Sequence, residues 1–198
     1  GKLGSLTLIL MPIIVGAGVG TIGMIMLPYV GIITSTIGNL INSFTTLQPL
    51  VMAILISVAF SVLIISPIST VAIGIAIGVS GLGAGAAAVG VTACTAILVI
   101  GSLRINQSGT TLAILLGAMK MMIPNLIKYP KIMIPVVLNA IVSGIGVYAL
   151  TIHGTPQTAG FGIVGLVGPI QAFNMGTGLL NVLIAYFVIP FVGGYIID

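Results

Sequence analysis

Acidic side chains are almost missing from this chain: 198 residues carry one carboxylate, Asp198, at the very end. Paired carboxylates for general acid and base work, and carboxylate-rich metal sites, are therefore excluded. Tryptophan is absent, and there is one cysteine, Cys94, and one histidine, His153. A lone thiol inside an apolar run supports neither a disulfide framework nor a metal site, and reads as a small buried side chain. Charged residues make up only 3% of the chain, against roughly a quarter in soluble domains. A water-soluble surface cannot be built from so few charges.

What is present is apolar. Hydrophobic residues make up 59% of the chain, and the mean hydropathy is +1.39. A helix needs roughly 20 apolar residues to span a bilayer, so the sequence predicts about five to seven membrane segments. They would form a single membrane-embedded domain over residues 1–198, an all-α, multi-pass transmembrane helical bundle. The net charge of +4 comes from Lys2, Arg104, Lys120, Lys128 and Lys131. Four of these define a basic segment at 103–131 that the positive-inside rule places in the cytosol. Leu115, Leu116, Met119, Met121 and Met122 are interleaved there, which argues against a nucleic-acid surface. The start at Gly1 leads to the expectation of a piece of a longer polypeptide.

Hydropathy and glycine punctuation predict a first span from about Leu6 to Leu27, closed by Pro28. An amphipathic helix over Gly31–Leu47 follows, with Ile33, Ile37, Leu40, Ile41 and Phe44 at helical spacing. A second span begins at Pro49, a natural first-turn residue, and ends before Ser66 and Pro67, with Ala53, Ser57 and Ser61 as a small-residue stripe. From Thr70 to Gly101, glycines 78, 81, 83, 85 and 90 predict two short helices meeting at a glycine-rich tip. Thr110–Ile123 reads as a surface helix, and Ile132–Leu150 and Leu179–Ile197 read as spans.

Between those two spans, Thr151–Met175 is the second glycine-interrupted segment and gathers His153, Thr155, Gln157, Thr158, Gln171 and Asn174. Two such broken or re-entrant segments in one membrane domain point to a transporter binding site, although glycines at this spacing also serve close helix packing. The candidate solute-binding residues are His153, Thr155, Gln157, Gln171 and Asn174, with Ser66 and Ser69. His153 serves equally well as a loop histidine without a role. Gly160-Phe161-Gly162-Ile163-Val164-Gly165 matches a dinucleotide fingerprint literally, but no βαβ pattern or downstream acid accompanies it. With no internal carboxylate, direct proton or cation coupling is not expected. An uncharged lining suits a neutral, hydroxyl-rich solute. No catalytic nucleophile, cofactor or metal is implied.

Several runs resemble one family. They are Leu47-Gln48-Pro49-Leu50, Ser66-Pro67-Ile68-Ser69-Thr70, the stretch Gly81-Leu82-Gly83-Ala84-Gly85-Ala86-Ala87-Ala88, and Met122-Ile123-Pro124-Asn125-Leu126-Ile127-Lys128-Tyr129-Pro130-Lys131 with Ile134-Pro135. Together with Gly160–Ile170 they resemble the membrane-embedded IIC component (EIIC) of the bacterial phosphoenolpyruvate-dependent sugar phosphotransferase system, in the branch that includes perfringolysin-regulator-like proteins. The resemblance covers most of Leu47–Asn174. It implies a multi-pass, homodimeric permease of the bacterial plasma membrane that binds a sugar and presents it to a phosphorylated IIB partner. Arg104, Lys120, Lys128 and Lys131 are candidates for docking that partner, and topology determination alone explains them equally well.

The family's well-studied members place a glutamate and a histidine near the sugar, and this chain has no glutamate. Either His153 and the amides suffice, or the acid lies upstream, or the branch no longer phosphorylates sugar. The readings that remain are a sugar permease, a membrane sensor of the same fold without transport, and an unrelated small-solute channel.

Overall fold

The structure, a computed structural model, describes residues 7–197. It is mainly helical, with no strand among the described residues. The chain divides into two units, Gly1–Ile37 and Gly38–Asp198. Helix α1 (Thr7–Phe44) is continuous where the sequence predicted a stop at Pro28. It is bent around Pro28, between Met26 and Gly31. Proline removes one hydrogen-bond donor and crowds the carbonyl four residues back, which kinks a helix without having to end it.

In the second unit, α2 (Pro49–Leu63), α3 (Thr70–Ala76), α4 (Gly81–Ile105), α5 (Ser108–Leu116), α6 (Ile123–Lys128) and α7 (Met133–Leu150) precede α8 (Val167–Asn174), α9 (Leu179–Leu183) and α10 (Ile189–Ile197). Short 3₁₀ turns lie at Ala118–Met122, Pro130–Ile132 and Val164–Leu166. A π-helical turn, Ile184–Val188, joins α9 to α10 just before Pro190, whose missing N–H perturbs the ladder there. Among the described residues, Gly81–Ile105, Pro130–Leu150 and Leu179–Ile197 are long and apolar enough to cross a membrane, while α2 has 15 residues.

The burial pattern is that of a membrane protein. On α7, the large apolar residues Ile134, Leu138, Val142 and Ile145 are exposed at helical spacing, while Asn139, Ser143 and Gly144 face inward. Water would select the opposite arrangement. In lipid, side chains of this kind face outward, and small and polar residues mediate helix contact.

Helix α4 is the central element and is buried along most of its length. Small residues explain how three helices surround it. A Cβ on Gly90 would overlap the backbone of Ser57 on α2, and one on Gly85 would overlap the Ile152 carbonyl after α7. The expected glycine-rich tip is accordingly confined to 77–80, and Gly83, Gly85 and Gly90 lie inside a 25-residue helix. Interior glycine costs a helix about 1 kcal/mol, and close packing against α2 and α7 outweighs that cost here.

Contacts fix the directions. Gly83 meets Met52 and Gly90 meets Ser57, so α2 runs parallel to α4, whereas Asn139 donates to the Ala93 carbonyl (2.9 Å) and Ile152 meets Gly85, so α7 runs antiparallel. Gly194 meets Ile97 and Ile100, which places α10 on the remaining side.

Candidate functional site

The two glycine-interrupted segments meet. Gly81 and Gly154 exchange backbone hydrogen bonds of 3.0 and 2.9 Å, an isolated antiparallel bridge at the start of α4. Gly81 has a φ of +57°, a conformation that glycine adopts without strain. Farther along, the Thr70 hydroxyl donates to the Gly160 carbonyl at 2.9 Å, and Gly74 on α3 lies against Pro156 and Ala159. Gly162 then abuts Val91 and the Ala88 carbonyl of α4. The short α3 and the irregular run 153–162 thus lie antiparallel and follow α4 partway along its length. Irregular backbone of this kind is tolerated at membrane depth only when protein or a polar cavity satisfies it. The Gly81–Gly154 and Thr70–Gly160 bonds do so here.

The sequence-derived candidates distribute around this junction. His153 is half-buried and lies beside Gly81. Thr155 is half-buried, and its hydroxyl is 3.1 Å from that of Thr158, which also accepts from the Thr155 N–H at 3.1 Å. Gln157 is exposed in the same turn, and Gln171 (half-buried) and Asn174 (exposed) sit on α8. Ser66 donates to the Leu63 carbonyl at 2.7 Å and accepts from the Ile68 N–H at 3.2 Å. Ser69 caps α3 by accepting from Ala72 N–H at 3.2 Å. The structure therefore joins the two segments, but none of the cavities described below is lined by these seven residues.

Among the basic residues, Lys120 ties the 3₁₀ turn to the Ser66–Ser69 loop, its Nζ donating to the Ile68 carbonyl at 2.7 Å. Partial burial holds its ammonium below the ordinary lysine value. Lys128 Nζ lies 5.4 Å from the centroid of the Tyr129 ring. Arg104 is in the last turn of α4, and Lys131 is exposed in the 3₁₀ turn that leads into α7.

Two polar positions were not singled out from the sequence. Asn139, fully buried, donates from Nδ2 to the carbonyls of Ala93 and Pro190, both at 2.9 Å, and so ties α7 to α4 and α10. Its Oδ1 and the hydroxyl of Ser143, also on α7, have no hydrogen-bond partner. An asparagine in the middle of an otherwise apolar run was the available signal. The second is Thr70, whose bond to Gly160 joins segments 90 residues apart in sequence.

Cavities are present among the described residues. A small one of about 10 Å³ lies among Ile65, Leu98, Met122, Leu126 and Ile132. One of about 380 Å³ between Leu115, Leu116, Ile163, Leu166, Phe187 and Phe191 is apolar. One of about 430 Å³ lies at the end of α4 and includes Ser102, Asn106, Asn125 and Tyr129 in its wall. Among the described residues no cluster of His, Cys, Asp or Glu could hold a metal ion.

No curated protein and no solved structure matches the chain. A family model described as "Phosphotransferase system, EIIC" matches residues 1–198, wider than the Leu47–Asn174 region that carried the resemblance. With its apolar spanning helices and its joined broken segments, the chain belongs to the EIIC family of the phosphotransferase system, the membrane-embedded sugar permease components.

Proposed function

We propose that this chain carries a neutral sugar across the bacterial plasma membrane and presents it to a phosphorylated IIB partner, working as a homodimer. The observation that carries the reading is the junction of the two interrupted segments, at Gly81–Gly154 and Thr70–Gly160, beside the buried helix α4. Broken helices packed against each other within a membrane bundle leave backbone and uncharged side-chain groups to meet a solute, without the charge that ion coupling needs. In this reading His153, Thr155, Gln157, Gln171 and Asn174 supply hydrogen bonds to sugar hydroxyls. Ser66 and Ser69 shape the loop on the α3 side.

Arg104, Lys120, Lys128 and Lys131 give the partner-facing side a positive field that draws in a phosphorylated protein. The phosphoryl group is the partner's, so the chain needs no nucleophile of its own. The test is uptake of a panel of radiolabelled sugars into vesicles carrying the protein, with and without the phosphorylated cytosolic components. Accumulation of sugar phosphate only with those components supports the permease reading. Binding without accumulation replaces it with a sensor of the same fold, and conductance in planar bilayers replaces it with a channel.

A further inference from the structure

The cavity of about 430 Å³ at the C-terminal end of α4 has a composition that the translocation site does not explain. Its size falls within the range of small-molecule sites, ~300–1,000 Å³. Ser102, buried in the last turns of α4, shares a 2.8 Å hydrogen bond with Thr111 of α5 and accepts from Asn106 Nδ2 at 3.0 Å. That chain of bonds fixes the Asn106 amide at the cavity wall. Asn125 on α6 has, as its side-chain contact, a long 3.8 Å approach to the Met122 sulfur, a weak acceptor that a hydroxyl would readily displace. Tyr129 is more than half exposed and offers a ring to the same space, while Leu98 and Ile132 close the apolar side.

Amide and hydroxyl groups on one edge and an aromatic and aliphatic face on the other match a sugar ring, which has hydroxyls at its rim and C–H groups on its faces. The end of α4 adds backbone carbonyls with a partial negative charge, which favour hydroxyl donors. The wall holds no carboxylate that would fix a cation. Ser102 lies about 31 Å along α4 from the Gly81–Gly154 junction, at a rise of ~1.5 Å per residue, comparable with a bilayer core of ~30 Å. The two places therefore sit at opposite ends of the bundle, and the cavity is at the end that carries Lys128 and Lys131.

Resting on the permease reading, we propose that this cavity is a second, partner-side sugar site. It holds the neutral sugar with hydroxyls on Asn106 and Asn125 and a C–H face on Tyr129.

The chain has one native thiol, Cys94, and it is buried, so an introduced Asn125→Cys is a specific reporter. The full chain in proteoliposomes is labelled with a membrane-impermeant maleimide in the presence of neutral hexoses, hexitols and disaccharides, alongside the uptake measurement. We expect the transported sugar to slow labelling of Asn125→Cys at least fivefold. The protection should be lost in the Tyr129→Ala background and absent at Leu103→Cys, which is exposed on the last turns of α4 but outside the cavity wall. A sugar that accumulates but leaves Asn125→Cys labelling unchanged overturns the second site and leaves the permease reading standing. Equal protection at Leu103→Cys, or protection that survives Tyr129→Ala, also overturns it, since the effect is then remote. If no sugar is taken up or bound by the unmodified protein, the permease reading fails and the site fails with it.

Discussion

Replacing Gly90 by alanine sets helix propensity against helix packing, and the structure says which wins. Alanine favours a helix interior over glycine by about 1 kcal/mol, so in isolation α4 would gain. The new methyl, however, would overlap the Ser57 carbonyl oxygen and sit 2.7 Å from Ser57 Cα, at least 0.7 Å closer than ordinary contact. Helix α2 would have to retreat by that amount. The retreat lengthens the Ser57 Oγ to Ala140 carbonyl hydrogen bond, now 2.8 Å, beyond the ~3.2 Å at which such bonds are ordinarily made.

Overpacking costs ~1–3 kcal/mol, and an interhelical hydrogen bond in a membrane protein contributes about 0.6 kcal/mol. After the propensity gain, the expected net loss is about 0.6–2.6 kcal/mol, or a fall in Tm of roughly 1–10 °C at ~2–4 °C per kcal/mol for a chain of this size. Cys94, buried one turn farther along α4, reports the transition directly when a thiol-reactive fluorogenic dye is present during heating. Gly109→Ala is the control: it is exposed on α5, with nothing within 4 Å of the added atom, and should hold or raise Tm. A Tm for Gly90→Ala that is unchanged, or raised as in the control, would refute close packing of α2 on α4 as the reason for glycine there.

Asn139→Ala removes two hydrogen bonds that join three helices and should lower stability by ~1–3 kcal/mol, combining the bond and cavity terms, in the same melting assay. Thr70→Val unties α3 from Gly160 and should reduce sugar uptake severalfold at normal expression, while Thr70→Ser should restore it; equal uptake by both would show that the tie is dispensable. Lys128→Glu with Lys131→Glu should weaken binding of phosphorylated IIB with a strong salt dependence, measured by vesicle co-sedimentation. Unaltered binding in the correctly inserted variant would remove that surface from consideration.

The sequence by itself determined the solvent. Three per cent charge and a mean hydropathy of +1.39 leave no soluble alternative, because each buried charge costs several kcal/mol and each exposed apolar run needs lipid. It also located the two interrupted segments, the starts of α2 at Pro49 and of the last span at Leu179, and the family resemblance that the full-length match bears out.

What it could not decide was how far a glycine-rich run remains helical. Local propensity reads Gly83, Gly85 and Gly90 as breaks, and only the approach of Ser57 and Ile152 from segments remote in sequence makes a helix through them favourable. Tertiary structure alone also paired Gly81 with Gly154 and Thr70 with Gly160, and brought Asn106 and Tyr129 to one cavity. Such pairings depend on where distant backbones lie relative to one another. No local pattern of hydropathy or spacing carries that information, because it is fixed only when the helices pack.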